Sequence, residues 1–326
     1  MIGERLDKYT ILKAIGTGSM GTVYKAEDSG DGHLVALKLI RSQVLYNRER
    51  REQFLQCLLA ASEVRHKAIC PILDIGDDHD DFFVVMPFID GRTLEQYLDR
   101  KPLPWQAALP IGIAVAHALQ AAHSAGAIHR GLKTSNVWIQ SDGSVLVSDC
   151  GLARFTEFAK RSRVKYSGET ADYTETLVPM AALAHMSPEQ IRGETLDQRT
   201  DIFSFGALLY EMLTGRDPFD TRNPLSRMSA ILAADPPAVS STAGPIPPGL
   251  ERVVCRALAK NPGDRFQNMT EVLAELHAVR DIGTAEKPSV PNKGWDFRLK
   301  PGTLWWLALA FLLLTCASVA FVLARA

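Results

Sequence analysis

A run of three glycines close to the N-terminus restricts the folds open to this chain. It has the form G-x-G-x-x-G-x-V, from Gly16 to Val23, between two segments that alternate apolar and polar residues. Glycines let the backbone fold closely over phosphate, and their N–H groups donate hydrogen bonds without an obstructing side chain. A dinucleotide-binding fold requires a helix directly after the run, whereas Val23-Tyr24-Lys25-Ala26 has the pattern of a strand. The run favours a strand–loop–strand cradle, although any tight hairpin can hold three glycines.

A lysine on the next predicted strand adds to this pattern. Lys38 ends the segment Val35-Ala36-Leu37-Lys38, and its neighbours along the strand are apolar. A solitary lysine on a strand is most often a solvated surface residue. Its place after the glycine run predicts instead a cation that contacts phosphate.

Composition bounds the class of protein. The chain has 326 residues, 46% hydrophobic and 22% charged, which is enough to bury a substantial core. A formal net charge of -1 gives no overall basic field, so we expect no nucleic-acid partner. The five cysteines are scattered without a C-x-x-C pair. This spacing argues against a disulfide framework or a zinc site and favours a reducing compartment.

The hydrophobic periodicity changes along the chain. Residues 9–40 alternate short apolar runs with glycine-rich turns, which predicts an antiparallel sheet. A charged helical stretch follows at 48–65, and a further strand is predicted at 82–88. Beyond Gly91 the period becomes helical, and the predicted helices cover residues 107–124, 201–213, 250–259 and 269–280. A small β-rich part followed by a larger helical part predicts a two-lobed α+β fold.

Further motifs follow in a fixed order. They are His129-Arg130-Gly131-Leu132-Lys133-Thr134-Ser135-Asn136, Asp149-Cys150-Gly151, Met186-Ser187-Pro188-Glu189, Asp201-Ile202-Phe203-Ser204-Phe205-Gly206 and Asp264-Arg265-Phe266. With the glycine run and Lys38, residues 9–280 resemble the bacterial membrane-anchored serine/threonine protein kinases. The resemblance implies the two-lobed protein kinase fold, with an N-lobe at 9–90 and a C-lobe at 91–280. It also implies that Arg265 pairs with Glu189.

The resemblance implies ATP and Mg²⁺ as ligands. The implied nucleotide-binding residues are Gly16, Thr17, Gly18, Ser19, Met20, Gly21, Val23, Ala36, Lys38, Met86, Phe88 and Trp138. The implied catalytic positions are Lys133, Gly131, Asn136 and Asp149. Among these, Asn136 and Asp149 match the magnesium ligands, and their oxygen donors suit a hard cation.

The first departure from the family is Gly131. The family has an aspartate there, which accepts the proton of the substrate hydroxyl. A positioned general base contributes about 10²- to 10⁴-fold to a rate. Because positioning and metal electrostatics supply most of the catalysis of phosphoryl transfer, losing the base predicts impairment rather than extinction.

The second departure concerns the partner of Lys38. The family has a glutamate where this chain has Cys57. The nearby Glu52 and Glu63 lie off that helical face. Gln53, one turn earlier, offers only a neutral hydrogen bond. We therefore expect Lys38 to lack the carboxylate that holds it over the phosphates.

Three further positions differ from the family. Cys150 replaces a large apolar residue, which we expect to loosen the active arrangement rather than the fold. The pair Ala181-Ala182 replaces Gly-Thr and cannot supply the threonine hydroxyl that meets the catalytic loop. Trp138 takes the place of the floor beneath adenine, opposite Val23 and Ala36. Its indole is either a stacking surface or a stopper that partly fills the pocket, unless the ring is rotated away.

The C-terminal end predicts a membrane anchor. Residues 281–303 have the composition of a flexible tether, and residues 304–324 are uncharged and mostly apolar. About twenty such residues span the hydrocarbon core of a bilayer. Lysines and arginine precede the span, so the positive-inside rule predicts a single-pass inner-membrane protein with its kinase-like domain in the cytoplasm. The alternative is a buried core helix.

Three classes of function remain open on the sequence, of which the third, resting on Trp138, is a structural anchor that binds no nucleotide. The first is a membrane-tethered pseudokinase that binds Mg-ATP and regulates or recruits cytoplasmic partners, with little transfer of its own. The second is an active but divergent serine/threonine kinase that transfers the ATP γ-phosphate to cytoplasmic proteins. The chain retains the residues predicted to hold phosphate, whereas several of its departures from the family affect phosphate transfer. This combination favours the first class.

Overall fold

The computed structural model describes residues 1–18, 20–41, 45, 48–78, 81–151 and 183–285. The expectations for Ser19, the Ala181-Ala182 pair and the 304–324 span lie outside these residues, as does most of the 281–303 linker. Among the helices of the described residues, none is both long and apolar enough to cross a membrane. Residues Met1–Ile282 form one compact unit.

The N-terminal part is an antiparallel sheet, as the sequence predicts. Its strands are β1 (Arg5–Leu6), β2 (Tyr9–Thr17), β3 (Gly21–Asp28), β4 (Leu34–Ile40), β5 (Asp74–Asp78) and β6 (Asp81–Pro87). They lie in the order β1-β2-β3-β4-β6-β5. Val23 pairs with Lys38 between β3 and β4, and Ala36 pairs with Met86 between β4 and β6. The register thus places residues predicted to bind the nucleotide on three adjacent strands, β3, β4 and β6.

The third glycine of the run is required by strand pairing. A Cβ added to Gly21 would lie 1.7 Å from the carbonyl oxygen of Leu39, so no side chain fits there without moving β4. Gly16 and Gly18 differ, because a Cβ on either would meet no atom within 4 Å. The turn is closed by the Gly18 N–H, which donates to the Gly21 carbonyl at 2.9 Å. Gly16 and Gly18 therefore border open space, whereas Gly21 serves the sheet.

The first helix, α1 (Arg48–Ser62), packs on this sheet. Its buried face consists of Phe54, Leu58 and Ala61, which recur at helical spacing. Phe54 meets Phe82 of β6 edge-to-face, with 5.4 Å between ring centroids. Because this apolar face sets the rotation of α1, it also fixes which side of the helix Cys57 occupies.

The C-terminal part is helical around a small second sheet. Strands β7 (Gly91–Thr93), β8 (Val137–Gln140) and β9 (Val145–Val147) pair in that order. The helices are α2 (Leu94–Leu98), α3 (Trp105–Ser124), α4 (Pro188–Arg192), α5 (Gln198–Thr214), α6 (Pro224–Ala233), α7 (Val239–Ala243), α8 (Pro248–Ala257) and α9 (Met269–Ala285). The prediction of a two-lobed α+β fold is confirmed by this arrangement.

Helix α5 is the core of the helical part. It begins at Gln198 rather than at the predicted Asp201, because the Asp197 side chain caps the Arg199 N–H at 2.8 Å. It ends at Thr214, and the following Gly215 has a φ of 69°, the left-handed conformation that glycine adopts without strain. Nearly every residue between these ends is buried. A helix buried all round can hold a charged residue only where that residue is hydrogen-bonded.

Candidate active site

An ion pair lies in the cleft between the two lobes. The Lys38 ammonium on β4 donates to Asp149 Oδ2 at 2.8 Å, with the lysine side chain 9% exposed and the aspartate 22%. Burial alone would raise the pKa of Asp149, but the charge and hydrogen bond of Lys38 hold that pKa below its ordinary value. Asp149 is therefore charged at neutral pH. Lys38 and Asp149 form the electrostatic centre of the cleft.

Backbone strain marks the same region. Arg130 has a φ of 64° and Asp149 a φ of 63°, both in the left-handed region that non-glycine residues rarely adopt. Such conformations cost on the order of 1–3 kcal/mol each and persist where surrounding contacts hold them. Arg130 is held on both sides, because its N–H donates to Asp201 and its carbonyl accepts from the Gln190 amide at 2.8 Å.

Asp201, in the core of α5, anchors the predicted catalytic loop, which is the segment 129–136. Its carboxylate is fully buried and accepts the N–H groups of His129 and Arg130 at 2.8 and 2.7 Å. The ring of His123 lies 2.8 Å from the same carboxylate. Burial alone would raise the pKa of Asp201, but these partners hold it below its ordinary value. The motif that begins at Asp201 was recognised from sequence, but its contact with His123 was not.

His129 joins the predicted catalytic loop to Ser148, which precedes the predicted metal ligand Asp149. Its Nε2 lies 3.1 Å from the Ser148 carbonyl, and its Nδ1 accepts the Gly131 N–H at 3.3 Å. Burial lowers the pKa of His129, so the ring is neutral, with its proton on Nε2. The Gly131 carbonyl in turn accepts from the Asn136 amide at 2.9 Å. The backbone at the missing acid is thus held in place, while Gly131 offers no side chain to accept a proton.

Trp138 is fixed by a residue that the sequence analysis missed. Its indole N–H donates to the Ser148 hydroxyl at 3.2 Å, and its partners on the adjacent strands are Thr93 of β7 and Leu146 of β9. The Ser148 hydroxyl also lies 3.3 Å from the Asn136 carbonyl. Ser148 directly precedes Asp149, so its position next to a predicted metal ligand was the signal that could have found it. The hydrogen bond sets the orientation of the indole, which the sequence left open.

Helix α1 approaches the segment after Asp149. A Cβ built on Gly151 would lie 3.7 Å from the Cys57 carbonyl oxygen and 3.7 Å from Ala61 Cβ. Cys57 is half-buried and packs against the apolar cluster beneath the sheet. The Gln53 amide donates to Glu49 at 3.2 Å instead of to the cleft. The backbone at position 57 therefore lies beside the segment after Asp149, and this position carries a thiol instead of a carboxylate.

The remaining predicted nucleotide-binding and catalytic residues, and the divergent Cys150, differ in burial. Gly16, Thr17 and Gly18 are exposed, and Val23, Ala36 and Lys133 are half-buried. Met20 and Met86 instead lie in the buried cluster under the sheet. Phe88 is half-buried, with the Lys25 ammonium 4.4 Å from its ring centroid. Cys150 is buried in the cluster of the helical part, and burial raises the pKa of its thiol to about 12.

A second buried ion pair, between Glu189 and Arg265, supports the predicted catalytic loop. Glu189 on α4 accepts two hydrogen bonds from the Arg265 guanidinium, at 2.7 and 2.8 Å, and one from the Thr200 hydroxyl at 2.9 Å. The pairing of Glu189 with Arg265, implied by the motifs, is confirmed. Gln190, the next residue, makes the contact with the Arg130 carbonyl described above. Helix α4 is therefore joined to both the core and the catalytic loop.

The cleft holds two side chains whose oxygen atoms suit Mg²⁺. Asn136 uses its amide nitrogen on Gly131, which leaves its side-chain oxygen, and Asp149 adds a carboxylate. The described residues contain no group of three or more histidine, cysteine or acidic side chains that could hold a metal ion. Mg²⁺ is commonly held by one or two protein oxygens with phosphates and water completing its shell. With Lys38 beside them, these donors would hold a cation that neutralises phosphate charge.

The fold and the cleft define a protein kinase domain. The protein kinase domain family matches residues 9–276, and the chain belongs to that family. Relatives include the serine/threonine-protein kinase PknL of Mycobacterium tuberculosis, 33% identical over 84% of this chain and 66% of PknL. PrkC of Bacillus subtilis is 31% identical over 86% of this chain and 42% of PrkC. The crystal structure of the Mycobacterium tuberculosis PknI kinase domain matches with a TM-score of 0.67 and 25% identity, over 86% of this chain and 99% of that one.

The match covers only part of most relatives. The chain spans between 39% and 45% of the length of four further bacterial serine/threonine-protein kinase relatives.

Proposed function

We propose that this chain is a membrane-tethered serine/threonine-kinase-like protein that binds Mg-ATP and transfers phosphate poorly. It would act on cytoplasmic proteins as a regulator or scaffold in signalling. One observation carries the proposal: the cleft keeps the Lys38–Asp149 pair and the Asn136 amide, while Gly131 supplies no proton acceptor. Groups that bind phosphate and cation are retained where the group that activates the incoming hydroxyl is missing.

The expected turnover follows from the missing base. Protein kinases turn over at about 1–100 per second. A positioned general base contributes about 10²- to 10⁴-fold. Removing it leaves roughly 10⁻⁴ to 1 per second, too slow for efficient signalling by transfer but measurable with labelled ATP.

An active but divergent serine/threonine kinase is the second candidate. The observation that favours it is the C-lobe framework on the substrate side of the cleft. Arg265 still holds Glu189, and Gln190 still holds the Arg130 carbonyl in its strained conformation. A framework of this kind is what a transferring enzyme requires to position a protein substrate. The relatives named serine/threonine-protein kinases agree with either candidate.

Nucleotide binding is tested by thermal shift of the full-length chain. A ligand present at 100 times its dissociation constant stabilises by about 2.7 kcal/mol. ATP with MgCl₂ should raise the melting temperature of the wild type but not of Asp149→Ala. Asp142→Ala, which alters an exposed aspartate on the β8–β9 turn, is the matched control and should respond as the wild type does. No shift in the wild type would refute ATP binding.

Phosphate transfer separates the two candidates. The full-length chain is incubated with γ-labelled ATP and a generic protein substrate, and label on protein is counted over hours. Label at roughly 1 per second or faster, lost in Asp149→Ala, would overturn the regulator proposal in favour of the kinase. Label far below that rate supports the proposal.

Membrane attachment is proposed through residues 304–324, from composition alone. A chain truncated after residue 303 should leave the membrane fraction, while the full-length chain remains there after a high-salt wash. If both variants fractionate alike, the anchor is refuted.

A further inference from the structure

We propose that Lys38 and a divalent cation compete for Asp149, and that the thiol at Cys57 is what makes them compete. Nucleotide and cation then bind cooperatively, each releasing the group that the other requires. The inference deepens the proposed Mg-ATP site and rests on it.

The competition follows from the single carboxylate beside Lys38. Within the described part of the chain, the salt bridge with Asp149 is the only one in which Lys38 takes part. Asp149 is also the only carboxylate among the site's predicted metal ligands. One acidic group therefore serves both as the counter-ion of Lys38 and as the main ligand of the cation. A cation cannot bind the Asp149 oxygen at full strength while an ammonium occupies it at 2.8 Å.

Position 57 is the place from which a second carboxylate would relieve this conflict. The Cys57 carbonyl lies 3.7 Å from a Cβ built on Gly151, two residues beyond Asp149. The buried side chains of Phe54 and Leu58 hold that face of α1 against the sheet. A glutamate at 57 would add an acid beside the cleft on a helix whose rotation is already set. With Cys57, no such acid is present.

The shared carboxylate couples the two ligands in both directions. When phosphates attract Lys38, Asp149 loses its counter-ion, and an unpaired buried charge is strongly unfavourable. A cation on Asp149 removes that penalty and leaves Lys38 to the phosphates. Coupling between two ligands is reciprocal and is commonly 5- to 150-fold. A second acid near Lys38 should therefore strengthen binding of the cation alone and weaken the coupling.

The test is binding of Mn²⁺ in the absence of nucleotide, measured by electron paramagnetic resonance on the full-length chain. Mn²⁺ is chosen because it takes the same oxygen ligands as Mg²⁺. Cys57→Glu is compared with Cys57→Gln, which has the same size without the charge. Gln56→Glu places the same charge on an exposed neighbouring position of α1. Cys57→Glu should bind Mn²⁺ at least fivefold more tightly than both controls, and a smaller difference overturns the inference.

A second pair of variants serves if Cys57→Glu lacks a cooperative thermal transition. Lys38→Met removes the competitor and should bind Mn²⁺ at least fivefold more tightly than Lys38→Arg, which keeps the charge. A smaller difference again overturns the inference. This comparison does not depend on α1 accepting a new charge.

An ATP titration distinguishes failure of the inference from failure of the proposed function. ATP affinity is measured with and without Mn²⁺ in wild type and Cys57→Glu. The binding of Mn²⁺ to ATP in solution is the same for both and cancels in the comparison. The ratio of the ATP affinity with Mn²⁺ to the ATP affinity without it should be at least fivefold larger in the wild type than in Cys57→Glu. Equal ratios overturn the inference. If neither variant binds ATP, the proposed function fails while the nucleotide-free measurement still decides the competition for Asp149.

Discussion

Replacing Glu189 by glutamine should destabilise the protein by about 3–5 kcal/mol, the usual cost of breaking a buried ion pair. The Arg265 guanidinium is fully buried and the Glu189 side chain is 5% exposed, so solvent does not screen the pair. Arg265 also donates to the backbone carbonyls of Ala259, Arg199 and Lys260, at 2.7, 2.9 and 3.1 Å. These bonds partly compensate the cation, which places the expected value near the lower end of the range.

Urea denaturation, monitored by circular dichroism, measures this loss in the free energy of unfolding. With a slope of about 3 kcal/mol/M, a loss of about 3 kcal/mol lowers the midpoint by about 1 M. Glu194→Gln is the matched control, because Glu194 lies just after α4 and pairs with Arg192 on the surface at 3.9 Å. That variant should lose less than about 1 kcal/mol. A loss below about 1 kcal/mol in Glu189→Gln would refute the assignment of the Glu189–Arg265 pair as a main support of the C-lobe.

Three further predictions concern Glu189, Gly131 and Trp138. Burial alone would raise the pKa of Glu189, but Arg265 holds it below its ordinary value. The pair therefore stabilises fully above pH of about 4.3, and this contribution is lost as the pH falls through the lower native pKa. Urea midpoints should decline less steeply below pH 4.3 in Glu189→Gln, and parallel declines would contradict this. Gly131→Asp should raise labelled-phosphate transfer by about 10²- to 10⁴-fold; an unchanged rate would mean that another departure limits transfer. Trp138→Phe should abolish the change in tryptophan fluorescence on adding Mg-ATP, whereas Trp105→Phe should retain it; a retained change in Trp138→Phe would place the indole away from the base.

The motifs predicted much of the site because each is a local run whose neighbours hold it in one conformation. Strand–loop–strand geometry around Gly16 to Val23 follows from glycine placement and period-two alternation, and β2 and β3 show it. Glu189 and Arg265 lie 76 positions apart, yet family resemblance was enough to pair them. Helix bounds were less accurate where a cap decides the end, as Asp197 does for α5.

Other contacts could not be inferred from local pattern. The Trp138–Ser148 hydrogen bond depends on how β8 and β9 pair and which way an indole turns. Met20 was expected to bind nucleotide from its place in the glycine run, and its side chain lies in the apolar cluster with Phe54. Packing decides such positions, because a side chain goes where apolar surface is removed from water.

The sequence by itself determined the family, the two-lobed fold and the absence of a side chain at Gly131, since these depend on residue identity and local order. Only the tertiary structure decided that Lys38, deprived of an acid at position 57, is held by Asp149 from 111 positions away. Residue types determine which charges exist, whereas the folded chain decides which of them come within hydrogen-bonding distance in a largely buried site. There the Asp149 carboxylate meets Lys38 at the predicted place of a cation.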